Sequence, residues 1–85
     1  MQIQLRFFAS IRETLGTSQE TVTLPPEIMT VGHVRHWLQE RGGAWAETLA
    51  EGRALRMAIN QTMCGPDAAL VPDAEVAFFP PVTGG

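Results

Sequence analysis

Residues 2–9 read QIQLRFFA, and this stretch decides the fold. The apolar side chains of Ile3, Leu5 and Phe7 alternate with polar ones, which is the period-two pattern of a strand with one buried face. Residues 75–79 read EVAFF and predict a second phenylalanine-rich strand near the other end of the chain. We expect these two strands to lie side by side in the centre of one sheet, where burial is greatest.

The main helix is predicted between these strands. Thr30 is a suitable N-cap, and Val31, Val34 and Leu38 form an apolar stripe at helical spacing up to about Arg41. The other predicted elements are a short helix opened by a capping box at Ser10–Glu13 and ended by Gly16, strands at residues 18–24, 55–59 and 62–64, a second short helix at 44–50, and a turn at Asn60–Gln61.

Strands arranged around a single main helix predict an α+β domain, with the helix packed on one face of a mixed sheet. This is the β-grasp, or ubiquitin-like, arrangement. We predict that the domain covers residues 1–79 and that residues 80–85 form an extended, flexible C-terminal tail.

Composition restricts the classes of function. The chain has one cysteine, so an internal disulfide is impossible. Its net charge is −3 and its basic residues form no cluster in the sequence. This charge distribution argues against binding to nucleic acid or to anionic membranes. No apolar run approaches the length of a membrane span, and no signal peptide is visible. We therefore expect a cytoplasmic protein.

The last six residues predict a tail with a stiff base and a thin tip. Two prolines without a backbone N–H must end the sheet ladder, and the two final glycines have no side chain to clash inside a channel. We predict that the tail threads the active site of a partner through Pro80, Pro81, Val82, Thr83 and Gly84, with Gly85 at its tip.

The carboxylate of Gly85 is the candidate reactive group. ATP converts a carboxylate into an acyl adenylate, and a sulfur nucleophile can then displace AMP to leave a thiocarboxylate. Because water hydrolyses an adenylate, these steps need enzyme clefts that exclude it. The sequence has no glycine-rich phosphate loop of recognised spacing. We therefore expect ATP to be bound by a partner, with no cofactor on this chain.

Two phenylalanines are candidates for a partner interface. Adjacent strand residues point to opposite faces, so Phe7 and Phe78 are predicted in the core while Phe8 and Phe79 lie on the other face. If their strands are neighbours, Phe8 and Phe79 form one apolar patch at the root of the tail. Arg12, just beyond the first strand, is a candidate rim contact, with a solvated surface role as the alternative.

Other chemically versatile residues fit structural roles better. His33 and His36 have a possible metal spacing, but no third ligand is in register, so we predict a surface role and no metal. Cys64 has no neighbouring general base and is interpreted as a packed thiol. The chain has no lysine. One interpretation is that an activated acyl group is then not attacked by side-chain amines of the same chain, and the alternative is a compositional bias towards arginine.

The chain resembles a known family, the small subunits of molybdopterin synthase. The closing run EVAFFPPVTGG at residues 75–85 carries the resemblance most specifically. The segments LRFFA at 5–9, IRE at 11–13 and INQT at 59–62 extend it over most of the chain. Ala74 stands where the family pattern suggests a glycine, which questions the geometry of the turn before the last strand.

The resemblance implies a sulfur carrier for molybdenum cofactor biosynthesis. An E1-like adenylating enzyme would activate Gly85, and a sulfurtransferase with a persulfide would supply the sulfur. The carrier would then dock on the large synthase subunit in a heterotetramer and donate sulfur to precursor Z. It would not be an enzyme alone. The alternatives are a carrier of the thiamine pathway, a ubiquitin-like modifier of lysines, and a binding module whose tail is incidental.

Overall fold

The computed structural model describes residues 1–81. Within that range no helix is long and apolar enough to cross a membrane. The elements are β1 Gln2–Phe7, α1 Ala9–Leu15, β2 Gln19–Thr23, α2 Val31–Gln39, α3 Gly43–Thr48, β3 Arg56–Ile59, β4 Thr62–Cys64 and β5 Glu75–Phe79.

The strands form one mixed sheet in the order β2-β1-β5-β3-β4. β1 and β5 pair in parallel, with Leu5 opposite Val76 and Phe7 opposite Phe78, while the other neighbours are antiparallel. The predicted central pair of first and last strands is confirmed, and so is the β-grasp fold. The parallel crossover places both chain-terminal strands at the centre, so β5 leads into the C-terminal segment from the middle of the sheet.

The core lies between the sheet and the helices on one of its faces. Phe7 and Phe78 are 1% and 0% exposed, and their rings stack with centroids 6.2 Å apart. Trp45 of α3 meets Phe7 edge to face at 5.5 Å. The α2 stripe that the sequence predicts, Val31, Val34 and Leu38, is fully buried. Each such side chain contributes roughly 1.5–3 kcal/mol of hydrophobic free energy.

The N-terminus of α2 has the predicted cap. The Thr30 hydroxyl accepts a hydrogen bond from the backbone N–H of His33 at 3.1 Å. Val31 and Gly32 donate their N–H groups to the carbonyls of Ala68 and Pro66, so the loop before β5 completes the cap. The helix ends at Gln39, earlier than predicted, because the next turn tightens into i to i+3 hydrogen bonds.

The predicted capping box of α1 is wrong. The N-cap residue is Phe8, and no side chain caps this helix. Ala9 adopts a left-handed φ of 52°, which turns the chain directly from β1 into α1 and leaves Ser10 inside the helix. The C-terminus agrees with the prediction, because Gly16 has a φ of 74° and donates its N–H to the Arg12 carbonyl.

The turn before β5 explains how Ala74 replaces a glycine. The left-handed residue is Asp73, with a φ of 64°, whereas Ala74 is 1% exposed and packs into the core. Asp73 donates its N–H to the Gln2 carbonyl, and Gln4 donates to the Ala74 carbonyl. The demanding conformation therefore falls one residue earlier than the family pattern suggested, and alanine is accommodated.

A buried arginine organises the connection between α2 and β3. Arg35 is only 8% exposed, and its guanidinium donates to the carbonyls of Leu49, Ala50 and Arg53. The Leu49 bond is 2.8 Å long, and Gln39 donates a second hydrogen bond to the same carbonyl. These carbonyls lie just after the last residue of α3, so Arg35 caps this end of the helix and ties the segment that follows it to α2. Nothing in the local sequence pattern distinguishes Arg35 from other polar helix residues.

Candidate functional site

The candidate site begins where β5 ends. Phe79 is the last residue of β5 and pairs with Arg56 of β3. Pro80 and Pro81 follow it, are half-buried and have no backbone N–H to continue the ladder. The chain therefore leaves the sheet at its centre. The predicted roles of Val82, Thr83, Gly84 and Gly85 concern residues outside the described part of the chain.

Phe8 and Phe79 meet at this exit. Their ring centroids are 6.4 Å apart with an interplanar angle of 82°, an edge-to-face contact. Phe8 is 40% exposed and Phe79 is half-buried, while Phe7 and Phe78 are in the core. The placement that the alternation predicts is confirmed, and the docking role of the two rings remains a prediction.

The two rings continue into an apolar surface on the face of the sheet opposite the core, in which Ala77 and Ala58 are buried at 6% and 7% exposure. Ala77 lies on the same side of β5 as Phe79 and pairs with Ala58, which in turn pairs with Met63. Met63 is 58% exposed. We name this surface the open-face patch; it consists of Phe8, Phe79, Ala77, Ala58 and Met63.

A groove adjoins the exit of the chain on the helix side. It has a volume of about 270 Å³ and separates α1 from the segment that leads into β3. Its lining comprises Ser10, Ile11, Thr14, Thr48, Arg53, Ala54, Leu55 and Pro80. Since Ser10 and Pro80 lie within two residues of Phe8 and Phe79, the groove and the open-face patch meet at the root of the tail.

Comparison with known proteins places this geometry in a family. The model of the ThiS family matches residues 5–85. The chain belongs to the ThiS family. Molybdopterin synthase sulfur carrier subunits from Haemophilus influenzae and Escherichia coli are 40% and 41% identical to it over 83 residues, which is 98% of this chain and 99% of each relative. The resemblance inferred from the sequence motifs is confirmed.

Solved structures share the fold of this ThiS family member. SAMP1 from Haloferax volcanii superposes with a TM-score of 0.80 at 23% identity, over the full length of both chains. A chain from the complex of subunits 1 and 2 of molybdopterin-converting factor from Helicobacter pylori gives a TM-score of 0.68 at 22% identity, again over both full lengths. These likenesses show the β-grasp fold.

In this ThiS family member, Arg6 closes one side of the open-face patch. Its guanidinium lies 5.4 Å from the centre of the Phe8 ring and 3.9 Å from the Glu75 carboxylate. This cation–π contact packs the Arg6 guanidinium against the exposed ring of Phe8. In the sequence, Arg6 stands out only as a polar residue of the strand.

Arg12 lies one helical turn beyond Phe8, and its backbone N–H donates to the Phe8 carbonyl at 3.3 Å. Its side chain is exposed and forms no ion pair with any residue in the range 1–81. This position fits both the predicted rim contact and the alternative of a solvated surface residue, and the rim contact stays a prediction.

The two histidines have separate local contacts. Nδ1 of His33 accepts the Met29 backbone N–H at 3.1 Å, and His36 lies 3.9 Å from the Glu51 carboxylate. Among residues 1–81, no group of three histidine, cysteine or acidic side chains is arranged to hold a metal ion.

The cysteine of this ThiS family member is half-buried at the edge of the sheet. Cys64 pairs with Met57 and packs against the core. Burial raises the pKa of the Cys64 thiol, so the reactive thiolate is a smaller fraction at neutral pH. The interpretation of Cys64 as a packed thiol agrees with this environment.

Sequence reasoning missed three members of the open-face patch. Alternation already places Ala77 with Phe79, and the strand pattern places Ala58 opposite the core face. Met63 could not be assigned without knowing the register of β3 and β4, because a shift by one residue would reverse its face.

Proposed function

We propose that this chain is the sulfur carrier subunit of molybdopterin synthase. Its Gly85 carboxylate is adenylated, converted to a thiocarboxylate, and donates sulfur to precursor Z to form the dithiolene of molybdopterin. One observation carries the proposal: the identity of 40–41% to sulfur carrier subunits spans 98% of the chain. The family match also extends through residue 85.

The geometry at residue 81 supports delivery of the chain end into another protein. β5 is a central strand, so the last residues before the tail are anchored by ladders on both sides. Four residues beyond Pro81 span at most about 14 Å when extended. A partner must therefore approach the open-face patch closely for its active site to receive Gly85.

Each chemical step makes a defined demand on the carrier. Attack of the Gly85 carboxylate on the α-phosphate of ATP releases pyrophosphate and forms the adenylate. Attack by the outer sulfur of a persulfide at the acyl carbon then expels AMP and forms an acyl disulfide. A thiol of the donor protein attacks the sulfur of its own persulfide in this S–S bond, which releases the thiocarboxylate and leaves a disulfide on the donor. Gly84 supplies clearance for the first two attacks, since it has no side chain beside the reacting carbon. The residues from Pro80 to Thr83 span the channel, and the partner cleft provides orientation and excludes water.

The partners follow from these demands. ATP belongs to an E1-like adenylating enzyme, sulfur comes from a sulfurtransferase or persulfide donor, and this chain holds no cofactor. The large synthase subunit receives the loaded carrier in a cytoplasmic heterotetramer, and the carrier is not catalytic alone. A subunit with this fold does occur in the two-subunit complex from Helicobacter pylori, which supports the pairing.

The competing functions have weaker support. A thiamine-pathway carrier shares the fold and the terminal glycines, but the relatives at 40–41% identity are molybdopterin synthase subunits. A ubiquitin-like modifier shares only the fold, since the likeness to SAMP1 is at 23% identity.

A reconstituted synthase assay tests the proposal. The assay contains the activating enzyme, ATP, a sulfur source, the large subunit and precursor Z, and molybdopterin is measured. Deletion of Gly85 should leave the fold intact and abolish product, and an added C-terminal alanine should do the same. Product formation by either variant at the wild-type rate would overturn the proposal.

A further inference from the structure

We propose that three arginines around the root of the tail form a positively charged docking rim for carboxylates of the large synthase subunit. The rim consists of Arg12, Arg53 and Arg56. The inference rests on the proposed function, because the large subunit is the partner to which it commits. It adds to that function the charge of the surface that the carrier recognises.

The placement of the three residues follows from the topology. Arg56 is the register partner of Phe79, so it lies beside this ring on the open face. Arg12 is one helical turn beyond Phe8. Two arginines therefore flank the aromatic pair, one from β3 and one from α1.

Arg53 extends the rim along the groove. It lines the groove opposite α1, together with Pro80. Its guanidinium Nε donates to the Glu47 carbonyl at 3.2 Å, which orients the guanidinium without an ion pair to a carboxylate. Ser10, Thr14 and Thr48 line the same groove. Their hydroxyls can donate hydrogen bonds to the large subunit or accept hydrogen bonds from it.

The other three arginines are committed to contacts within the chain. Arg6 pairs with Glu75, Arg41 pairs with Glu20, and Arg35 is buried on backbone carbonyls. The rim arginines are all exposed, and none lies within ion-pair distance of an acidic side chain in the part of the chain that the structure describes.

Exposed positive charge is therefore concentrated at the root of the tail. The net charge is −3, yet the three exposed arginines that have no ion-pair partner among residues 1–81 lie where the tail leaves the sheet, with Glu13 next to Arg12 and Glu47 next to Arg53. A local positive field on a negative protein orients the approach of a partner that carries carboxylates next to an apolar contact. The open-face patch supplies the apolar contact, and the rim selects the orientation that brings the tail to the partner's active site.

Binding to the purified large subunit, measured by surface plasmon resonance at about 0.05 M and about 0.5 M NaCl, tests the rim because salt screens exposed charges. The test variant is Arg53→Gln/Arg56→Gln. The matched control is Thr23→Glu/Ala69→Glu, which changes the net charge by the same amount at exposed sites near the opposite end of the sheet. Circular dichroism confirms that both variants fold.

The rim predicts that the arginine variant binds about 3- to 30-fold more weakly at low salt, mainly through slower association. High salt should largely remove this difference, and the control should stay within about twofold of wild type.

Equal affinity and equal salt dependence of the arginine variant and wild type would overturn the rim, as would equal weakening by the control. If Phe79→Ala weakens binding while the arginine variant does not, the docking rim is refuted but the proposed function is not. If the wild-type chain does not bind the large subunit, the proposed function fails.

Discussion

The rings of Phe8 and Phe79 join the start of α1 to the end of β5, with their centroids 6.4 Å apart on the open face of the sheet. Two segments that are 71 positions apart in sequence thus present one aromatic surface beside the tail. Aromatic residues at the centre of an interface carry a large share of its binding free energy.

Truncation of this pair should separate binding from folding. Phe79→Ala is expected to weaken binding to the large subunit by about 1–3 kcal/mol, or roughly 5- to 150-fold in Kd. Phe8→Ala should act in the same direction and cost little stability, because the ring is 40% exposed. Isothermal titration calorimetry gives the affinity and urea denaturation gives the free energy of unfolding.

The neighbouring core residue supplies the contrast. Phe78→Ala should lower the free energy of unfolding by about 3–5 kcal/mol, because the side chain is fully buried. If Phe79→Ala unfolds the protein as strongly as Phe78→Ala, the open-face patch is structural and its docking role is refuted.

Replacement of Arg35 tests the buried cap after α3. Arg35→Met removes hydrogen bonds to three carbonyls and should lower the free energy of unfolding by about 1–3 kcal/mol. The loss is limited because Gln39 still donates to the Leu49 carbonyl and the Arg53 N–H still donates to the Ala50 carbonyl. The exposed neighbour offers a control: His36→Ala should change stability by less than about 0.5 kcal/mol. Similar urea midpoints for both variants would show that the cap does not stabilise the fold.

The ion pair between Glu20 and Arg41 gives a prediction for pH. Two hydrogen bonds of 2.9 and 2.7 Å from Arg41 hold the pKa of Glu20 below its ordinary value of 4.5. The folded state therefore favours the charged carboxylate, and this stabilisation is fully present above pH 4.5 and declines as the pH falls through the lower folded value.

Glu20→Gln measures this contribution. Both side chains are about a third exposed, so solvent screening limits the effect at pH 7 to less than about 1 kcal/mol. Urea denaturation of both proteins should show a gap at pH 7 that narrows as the pH is lowered below 4.5. A gap of constant size over this range would mean that the charge of Glu20 contributes nothing.

The turn between β3 and β4 allows two glycine substitutions with opposite outcomes. Asn60 and Gln61 have φ values of 48° and 66°, a conformation that glycine adopts more readily. Gln61→Gly should raise the free energy of unfolding by up to about 1 kcal/mol. Asn60→Gly should lower it by roughly 0.5–1.5 kcal/mol, because Oδ1 of Asn60 accepts the Glu75 N–H at 3.0 Å. Stabilisation by both substitutions would show that the Asn60 hydrogen bond is of no consequence.

Local patterns in the sequence were sufficient for the central features of the fold. Alternation in residues 2–7 and the stripe on α2 identified which side chains are buried, and the same alternation separated Phe8 from Phe7. These features depend on the periods of strand and helix alone. The sequence also predicts the tail chemistry, because a proline stop followed by glycines needs no tertiary information, and the roles of the tail residues stay predictions.

Features that depend on tertiary contacts were not predictable. The predicted capping box at Ser10 is wrong because the chain turns into the helix one residue earlier, at Ala9. The positive φ of Ala9 could not be predicted, because an alanine gives no sign of a left-handed conformation in the sequence. Arg35 reads as a polar residue on a helix, and only the path of the chain after α3 brings three carbonyls to it. Likewise, only the register of β3 with β5 places Arg56 beside Phe79.

Intact mass spectrometry after incubation with the activating enzyme, ATP and a sulfur source tests the central claim most directly. The account predicts a product in which one oxygen of the chain is replaced by sulfur, and fragmentation should locate the change at Gly85. The matched reaction without ATP should leave the mass unchanged. Sulfur found on Cys64 instead would contradict the account. So would a Gly85 that stays unmodified in this mixture when the same mixture, completed with the large subunit and precursor Z, yields molybdopterin.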